Sequence, residues 1–228
     1  MPKKALTLSI VIPVYNEERY LKACLDSIAK QTVKPDEVIV VDNNSVDKTS
    51  NIARRYSFVK LVEEPCQGVV FARNTGFDNA SGTIIGRIDG DTILPVDWVQ
   101  TVKHLYRDAG SPDNYAATAP SIFRNRLRLF WYVMHRLTYF WPSYLILRHS
   151  TLLGSNMFIT KNLWKSIRVE ICSRTDIHED MDLAYHVHQA GASIEFYSHL
   201  KASIEARKMV FRLLSYPRMM LKIKFISH

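Results

Sequence analysis

The N-terminal half of the chain alternates short apolar runs with segments in which apolar residues recur every three or four positions. The apolar runs are rich in β-branched residues and predict buried strands at residues 8–13, 37–41, 58–62 and 83–88. The periodic segments predict helices after Asn16, after residue 48 and over residues 68–80. This alternation with short connections predicts right-handed crossovers, and therefore an α/β fold with a mainly parallel central sheet flanked by helices.

Two further helices are predicted in the second half of the chain. Residues 127–141 place large apolar side chains at alternating spacings of three and four, at Leu127, Phe130, Trp131, Met134, Leu137 and Trp141. Another helix begins at Glu179, turns Leu183 and Val187 inward and ends at Gly191. Its first turn contains Asp180, and we expect the positive end of the helix dipole to lower the pKa of this carboxyl group.

Polar residues follow three of the predicted strands, at residues 15–17, 42–45 and 89–91. The carboxyl ends of parallel strands meet at one edge of a sheet, where open α/β folds bind ligands. Asp89 and Asp91 flank a single glycine and could share Mg²⁺ or Mn²⁺, which favour oxygen ligands and are commonly completed by substrate phosphates. The sequence has neither a Gly-x-Gly-x-x-Gly after the first strand nor a Walker-type Gly-x-x-x-x-Gly-Lys, so metal and side chains must hold the phosphates.

Positive charge is concentrated in two segments of an otherwise ordinary composition. The 228 residues are 47% hydrophobic and 23% charged, and the three scattered cysteines suggest neither a disulfide framework nor a zinc site. Residues 121–150 contain five arginines and no acid, and residues 201–228 contain seven lysines or arginines and one acid. The formal net charge is +8, so the rest of the chain is net acidic. This placement favours a local anionic partner.

A membrane surface fits both basic segments, because each combines aromatic and aliphatic residues with arginine or lysine. Arg128, Arg136 and Pro142 argue against a helix that spans the bilayer. A helix packed on the sheet or in a homodimer contact explains the first segment equally well, and the second basic segment tips the balance towards an interfacial location. The basic runs lack any recognised nucleic-acid-binding module, so we expect no nucleic acid partner.

Six short motifs resemble those of family 2 glycosyltransferases and follow one another in the order found in that family. They are SIVIPVYNEE at 9–18, VVDNNSVDKT at 40–49, ARNTG at 72–76, DGD at 89–91, GSNMF at 154–158 and HEDMDL at 178–183. Each motif alone is weak, and their order is what identifies the family. The resemblance implies the GT-A fold of nucleotide-diphospho-sugar transferases and inverting transfer of a sugar from a nucleotide sugar to an acceptor.

The resemblance also implies roles for individual residues. The nucleotide sugar would contact Pro13, Tyr15, Glu17, Asp42, Asn44, Arg73, Asp89 and Gly90, with Asp42 accepting a hydrogen bond from the base and Asp89 beside the ribose. Asp91 would ligate the Mg²⁺ or Mn²⁺ that bridges the diphosphate. Catalysis would fall to the Glu179–Asp180 pair, with Asp180 as the base. Gly154, Ser155 and Asn156 would lie on the acceptor side. Without the ordered motifs, favourable first-turn charges would be the better explanation for Glu179 and Asp180, and loop or capping roles would be enough for Asp42.

The expected organisation is a GT-A domain over residues 1–200 followed by a basic amphipathic segment at 201–228. Residues 1–120 would form the nucleotide-sugar-binding half, 121–150 a basic amphipathic insertion and 151–200 the half that carries the acceptor side and the base. No Gln-x-x-Arg-Trp motif near the C-terminus or transmembrane bundle is apparent, which favours non-processive transfer. We expect a cytoplasmic enzyme, peripheral on the inner face of the cell membrane, with a lipid-linked acceptor. The alternatives are a sugar-phosphate nucleotidyltransferase and an inactive nucleotide-sugar-binding scaffold.

Overall fold

The computed structural model describes residues 6–124, 130, 133–134, 137–138, 141–171 and 178–205. Parts of the predicted basic insertion and nearly all of the predicted C-terminal basic segment lie outside these residues. Within them, no helix has the length and apolar character that crossing a membrane requires.

All four strands predicted in the N-terminal half are confirmed. They are β1 (Leu8–Val14), β2 (Glu37–Asp42), β3 (Val59–Glu63) and β4 (Ile84–Arg87). The helices are α1 (Leu21–Ala29), α2 (Thr49–Ala53), α3 (Val69–Asn79) and α4 (Trp98–Asp108). Helix α1 begins five residues after Asn16, which has a positive φ of 54° and does not cap it.

The second half contributes shorter strands. They are β5 (Ala116–Thr118), β6 (Ser121–Phe123), β7 (Met157–Thr160), β8 (Ile194–Phe196) and β9 (Ala202–Ile204). Its helices are α5 (Trp141–Leu147), α6 (Lys161–Ile167) and α7 (Glu179–Gln189). Helix α7 starts at the residue predicted from the sequence.

The central sheet has seven strands in the order β3-β2-β1-β4-β7-β5-β8. Strands β3, β2, β1 and β4 are parallel, β7 runs antiparallel to both of its neighbours, and β5 and β8 are again parallel. The mainly parallel sheet is therefore confirmed, and β7 is its antiparallel exception. A second, two-stranded parallel sheet pairs β6 with β9.

Helices cover both faces of the sheet, which explains why the central strands are apolar on both sides. On one face Ile10 and Ile12 of β1 pack in a cluster with α1 and α4, whereas Val11 faces a second cluster with α3, α6 and α7. Gly76 allows α3 to approach closely, because a Cβ atom there would lie 2.3 Å from Cγ1 of Val11. The carboxyl ends of β1, β2 and β4 consequently meet at one edge, which carries the predicted site residues.

Candidate active site

The loops that follow β1 and β2 are tied to each other by hydrogen bonds. The Asn16 N–H donates to Oγ of Ser45 at 3.0 Å, and Oδ1 of Asn16 accepts from the Val46 N–H at 2.9 Å. The Glu17 N–H donates to Oγ1 of Thr49 at 2.7 Å. Motifs 29 to 32 residues apart in the chain therefore form one surface, from which the Tyr15 ring projects with half of its area exposed.

Asp42 ends β2 with a nearly buried carboxylate that neutral groups hold in place. Its Oδ1 accepts from the Ser45 N–H at 3.1 Å, and its Oδ2 accepts from the Ser50 hydroxyl. The neighbouring residue Asn43 was missed by the sequence analysis. It donates to the backbone carbonyls of Glu64 and Cys66 at 2.9 and 2.7 Å and accepts from the Gly68 N–H at 2.7 Å.

The other predicted donor-side residues lie along the same edge. Asn44 is exposed, has a positive φ of 64°, and donates to the carbonyl of Pro65 at 2.7 Å. Gly90 faces Glu17, because a Cβ at position 90 would lie 3.0 Å from Cγ of Glu17. Pro13, Asp89 and Asp91 are partly buried. The structure thus brings the predicted residues of three separate motifs to a single edge of the sheet.

Arg87, the last residue of β4, lies at the centre of the site. Only 2% of its side chain is exposed. Its Nη1 lies 2.5 Å from Oδ1 of Asp180, and its Nη2 lies 3.1 Å from Oε1 of Glu179 and 3.3 Å from Oδ1 of Asp89. One guanidinium group therefore joins the aspartate motif after β4 to the predicted catalytic pair at the start of α7.

The predicted acceptor-side motif precedes β7 and packs against this arginine. The Gly154 N–H donates to Oδ2 of Asp180 at 2.8 Å, and a Cβ at position 154 would lie 2.2 Å from Nη1 of Arg87. Ser155 is buried, with its hydroxyl 2.8 Å from that of Ser121. Asn156 is completely buried and donates to the carbonyls of Pro120 and Leu200, so it is not positioned to contact an acceptor here.

Arg73 has a different place from the one that the family resemblance implies. Its side chain is completely buried, so it does not face the nucleotide edge. Nη1 donates to the backbone carbonyl of Glu179 at 2.6 Å, while Nε and Nη2 donate to Oδ1 of Asn74 at 3.0 and 2.9 Å. The guanidinium thus holds the first turn of α7 onto α3, and its contact with the nucleotide stays a prediction that this buried position does not support.

The pKa values of the two carboxyl groups in the predicted catalytic pair shift in opposite directions. Burial opposes ionisation of Glu179, but the positive charges of Arg87, His178 and Arg73 outweigh it and lower the pKa of Glu179 to about 2. Burial raises the pKa of Asp180, and the negative charge of Glu179 adds to this effect while Arg87 opposes it. The expectation that the helix dipole sets a low pKa for Asp180 is therefore wrong, because burial beside a second carboxylate is the larger effect.

Sequence reasoning gave Arg87 little weight, although one signal pointed to it. An arginine within the apolar run IIGRI must be buried if the run is a central strand, and a buried guanidinium requires ionised partners. The sequence did not identify those partners, because Asp180 lies 93 residues further along the chain.

The residues after β4 are chemically suited to a divalent cation. Asp91 supplies a partly buried carboxylate oxygen next to Asp89, the type of ligand that Mg²⁺ and Mn²⁺ favour. No group of three or more His, Cys, Asp or Glu side chains in the described part of the chain could enclose a metal ion by itself. A cation here would therefore require further oxygen ligands from a bound diphosphate or water.

The fold is shared with solved nucleotide-sugar transferases. The mannosyltransferase PcManGT from Pyrobaculum calidifontis, in complex with GDP-Man and Mn²⁺, superposes with a TM-score of 0.71 at 21% identity, covering 100% of this chain and 66% of that protein. TarS from S. aureus (residues 1–349, in complex with UDP-GlcNAc) gives a TM-score of 0.67 at 19% identity, covering 89% of this chain and 59% of that protein. Both likenesses show that the protein has the GT-A fold.

Sequence comparison identifies the family. The sequence model of glycosyl transferase family 2 matches residues 9–173, and the chain therefore belongs to glycosyl transferase family 2. Among relatives, the glycosyltransferase AglE from Haloferax volcanii is 40% identical over 100 residues, covering 41% of this chain and 33% of that protein. The glycosyltransferase GlyA from Streptococcus pneumoniae serotype 4 is 37% identical over 99 residues, covering 42% and 14%. The chain spans only a minor part of the length of these relatives.

Proposed function

We propose that this protein transfers a sugar, with inversion, from a nucleotide diphosphate sugar to an acceptor hydroxyl. The observation that carries the proposal is the ion-pair cluster at Arg87. It joins Asp89, on the edge formed by β1, β2 and β4, to Glu179 and Asp180 at the start of α7. A single displacement requires the donor and the base to lie close together, and this cluster connects the two.

The donor is proposed to bind along the edge formed by β1, β2 and β4. Asp42, Tyr15 and Asn44 are proposed to contact the base and ribose, with Pro13, Glu17 and Gly90 beneath them and Asp89 on the ribose side. The Ser45 N–H and the Ser50 hydroxyl hold the carboxylate of Asp42 in place at this edge, where it is proposed to accept a hydrogen bond from an N–H of the base. The GDP-Man and UDP-GlcNAc complexes of PcManGT and TarS support nucleotide sugars as the ligand class.

Asp91 is proposed to hold Mg²⁺ or Mn²⁺ together with the diphosphate. Such a cation would stabilise the negative charge that the leaving nucleoside diphosphate acquires. The Mn²⁺ present in the PcManGT complex supports a divalent cation at this class of site.

Asp180 is proposed to be the general base. The acceptor oxygen attacks the anomeric carbon as its proton passes to the carboxylate, and the bond to the nucleoside diphosphate breaks on the opposite face of the sugar. Arg87 donates to one oxygen of Asp180 and Gly154 donates to the other, and together they fix the carboxylate in one orientation. A pKa raised above that of an ordinary aspartate makes Asp180 a stronger proton acceptor.

Release of nucleoside diphosphate from a panel of nucleotide sugars, with Mg²⁺ or Mn²⁺ and a lipid-linked acceptor, tests this function. We expect Asp180→Asn to reduce kcat by roughly 10²- to 10⁴-fold, the usual contribution of a general base. Asp108→Asn, at the exposed end of α4, is the matched control and should behave like wild type. Full activity of Asp180→Asn would refute the assignment of the base.

The two rival functions predict different products. A scaffold would bind nucleotide sugars without any release that depends on Asp180. A nucleotidyltransferase would instead form pyrophosphate from a nucleoside triphosphate and a sugar phosphate, which an assay for pyrophosphate detects. Formation of pyrophosphate without transfer would overturn the proposal.

The acceptor is proposed to be linked to lipid in an anionic membrane surface, which places the enzyme peripherally on the cytoplasmic face. Among the described residues of the predicted insertion, large apolar side chains are exposed at Phe130, Val133, Leu137, Trp141, Tyr144 and Leu145. Arginines and no acid share this sequence segment. Exposed aromatic residues with basic neighbours fit a membrane interface.

The two-stranded sheet supports joint use of both basic segments. Strands β6 and β9 are parallel, with Phe123 opposite Ile204. At their ends the Arg124 N–H donates to the carbonyl of Ile204 at 2.9 Å, and Arg124 forms an ion pair with Glu205. The described starts of the two basic segments, Ser121–Phe123 and Ala202–Ile204, therefore lie side by side. Two membrane signals anchor a protein better than either does alone.

Vesicle flotation tests the membrane proposal. We expect binding to vesicles that contain phosphatidylglycerol, with weaker binding as salt rises and little binding to pure phosphatidylcholine. Trp141→Ala combined with Tyr144→Ala should weaken binding, while Val169→Ala, at another exposed apolar residue, should not. No flotation at low salt, together with a concentration-dependent dimer that the double variant abolishes, would assign these side chains to a dimer contact.

A further inference from the structure

We propose that Arg87 is a positioning residue of the transfer reaction, which orients the base Asp180 and couples it to the donor side through Asp89. The inference rests on the proposed function, because it presupposes that Asp180 accepts the proton. Arg87 itself is not proposed to contact donor or acceptor, since its side chain is almost fully enclosed.

The geometry of the guanidinium carries the inference. Nη1 is directed to Oδ1 of Asp180 at 2.5 Å, while Nη2 lies between Oε1 of Glu179 at 3.1 Å and Oδ1 of Asp89 at 3.3 Å. A planar group with fixed N–H directions transmits the position of one carboxylate to the other, whereas a lysine ammonium is a point charge without such a fork. Asp89 is a third exposed at its side chain, so it is the member of the cluster that a donor can reach.

Gly154 holds the second oxygen of Asp180. Its N–H donates to Oδ2 of Asp180 at 2.8 Å, so each oxygen of the base is held by a different element. Any side chain at this position would start 2.2 Å from Nη1 of Arg87 and would displace the guanidinium. The glycine of the GSNMF motif is thus explained by the room that Arg87 requires.

A purely structural ion pair would have the same contacts but different kinetics. Its loss would lower stability and the amount of folded protein, while the folded fraction kept its kcat. A positioning residue instead affects kcat of the folded protein, and it does so only while Asp180 is present as the base. Kinetic coupling between positions 87 and 180 therefore separates the two roles.

The experiment compares Arg87→Lys, Arg87→Met, Asp180→Asn and the double variant Arg87→Met/Asp180→Asn. We expect kcat to fall about tenfold in Arg87→Lys and about 100-fold in Arg87→Met, with the donor KM changed by less than about threefold. The double variant should be no slower than Asp180→Asn alone. Arg54→Met is the control, because Arg54 pairs with Glu63 at the surface and should retain wild-type kcat.

The pH profile of kcat/KM gives a second readout. Asp180 is faced by Arg87, Glu179, His178 and Asp89, and Arg87 is the cation among them that donates to it directly. Weakening that contact in Arg87→Lys raises the pKa of Asp180, so the acidic limb of the profile should move to higher pH. An unchanged limb in folded Arg87→Lys would show that Arg87 does not control the proton affinity of the base and would count against the inference.

The outcomes distinguish this inference from the proposed function. No transfer by wild type with any donor would refute the function itself. Transfer by wild type that depends on Asp180, together with wild-type kcat in folded Arg87 variants or with multiplicative losses in the double variant, would refute only the role of Arg87. If Arg87→Met does not fold, Arg87→Lys retains the charge, and its kcat and acidic limb decide the question.

Discussion

Two arginines that contact the start of α7 show how the partners of a buried guanidinium determine its role. Arg73 and Arg87 are both enclosed, one on α3 and the other on β4. Arg73 donates to an amide oxygen and a backbone carbonyl, and burial lowers its pKa to about 10. Burial also acts to lower the pKa of Arg87, but the charges of Asp180, Asp89 and Glu179 overcome it and raise that pKa.

The ionised partners of Arg87 distinguish it from Arg73 and associate it with the site. A guanidinium with neutral partners contributes hydrogen bonds to the packing of two helices. A guanidinium among three carboxylates sets their orientation and their proton affinity. We therefore expect a substitution of this arginine to change the rate of transfer. Perturbed charge networks of this kind are concentrated at functional sites.

Of the variants that compare Arg87 with Arg73 and with a surface arginine, Gly154→Ala is expected to have the largest effect, because it displaces Arg87 within the site. The new Cβ displaces Nη1 and with it Asp180, and we expect kcat to fall about 100-fold with little change in donor affinity. Adding Arg87→Lys should make this variant no slower than Arg87→Lys alone, since the slimmer head group makes room. Wild-type kcat in folded Gly154→Ala would show that the contact is unimportant.

The same comparison shows what could be predicted from the sequence. The strands of the first half and the start of α7 follow from local periodicity, and the polar edge follows from where those strands end. Arg73 and Arg87 could not be told apart, because each is one basic residue in an apolar context. Their partners on α7 lie 106 and 93 residues away in sequence, and only the packing of α7 against α3, β4 and the Gly154 loop assigns them.

Arg73→Met is expected to act mainly on stability. It removes the hydrogen bond that Arg73 donates to the carbonyl of Glu179 and the two that it donates to the amide oxygen of Asn74, which costs roughly 1–3 kcal/mol of unfolding free energy. For a chain of this size the melting temperature should fall by about 2–4 °C for each kcal/mol, as thermal denaturation would show. A donor KM that rises with an unchanged melting temperature would instead support the nucleotide contact that the family resemblance implies.

Arg54→Met extends the comparison to an arginine at the surface and should have the smallest effect. Its ion pair with Glu63 has both side chains more than half exposed. Exposed pairs of this kind contribute little, so we expect the unfolding free energy to change by less than about 0.5 kcal/mol. Urea titrations of Arg87→Met, Arg73→Met and Arg54→Met would rank the three arginines by their contribution to the unfolding free energy. A loss in Arg54→Met as large as that in Arg73→Met would contradict the view that burial is what distinguishes these arginines.

The antiparallel strand β7 also has a consequence during synthesis of the chain. Strands β1 to β4 leave the ribosome before residues 157–160 exist, and β4 is then the open edge of a four-stranded sheet that contains Ile84 and Ile85. Nascent sheets with apolar open edges associate with one another, and charged residues placed on the edge oppose this. Arg87 is a charged residue on this strand, and we expect it to oppose association of the growing polypeptides until its partners on α7, Glu179 and Asp180, have been translated.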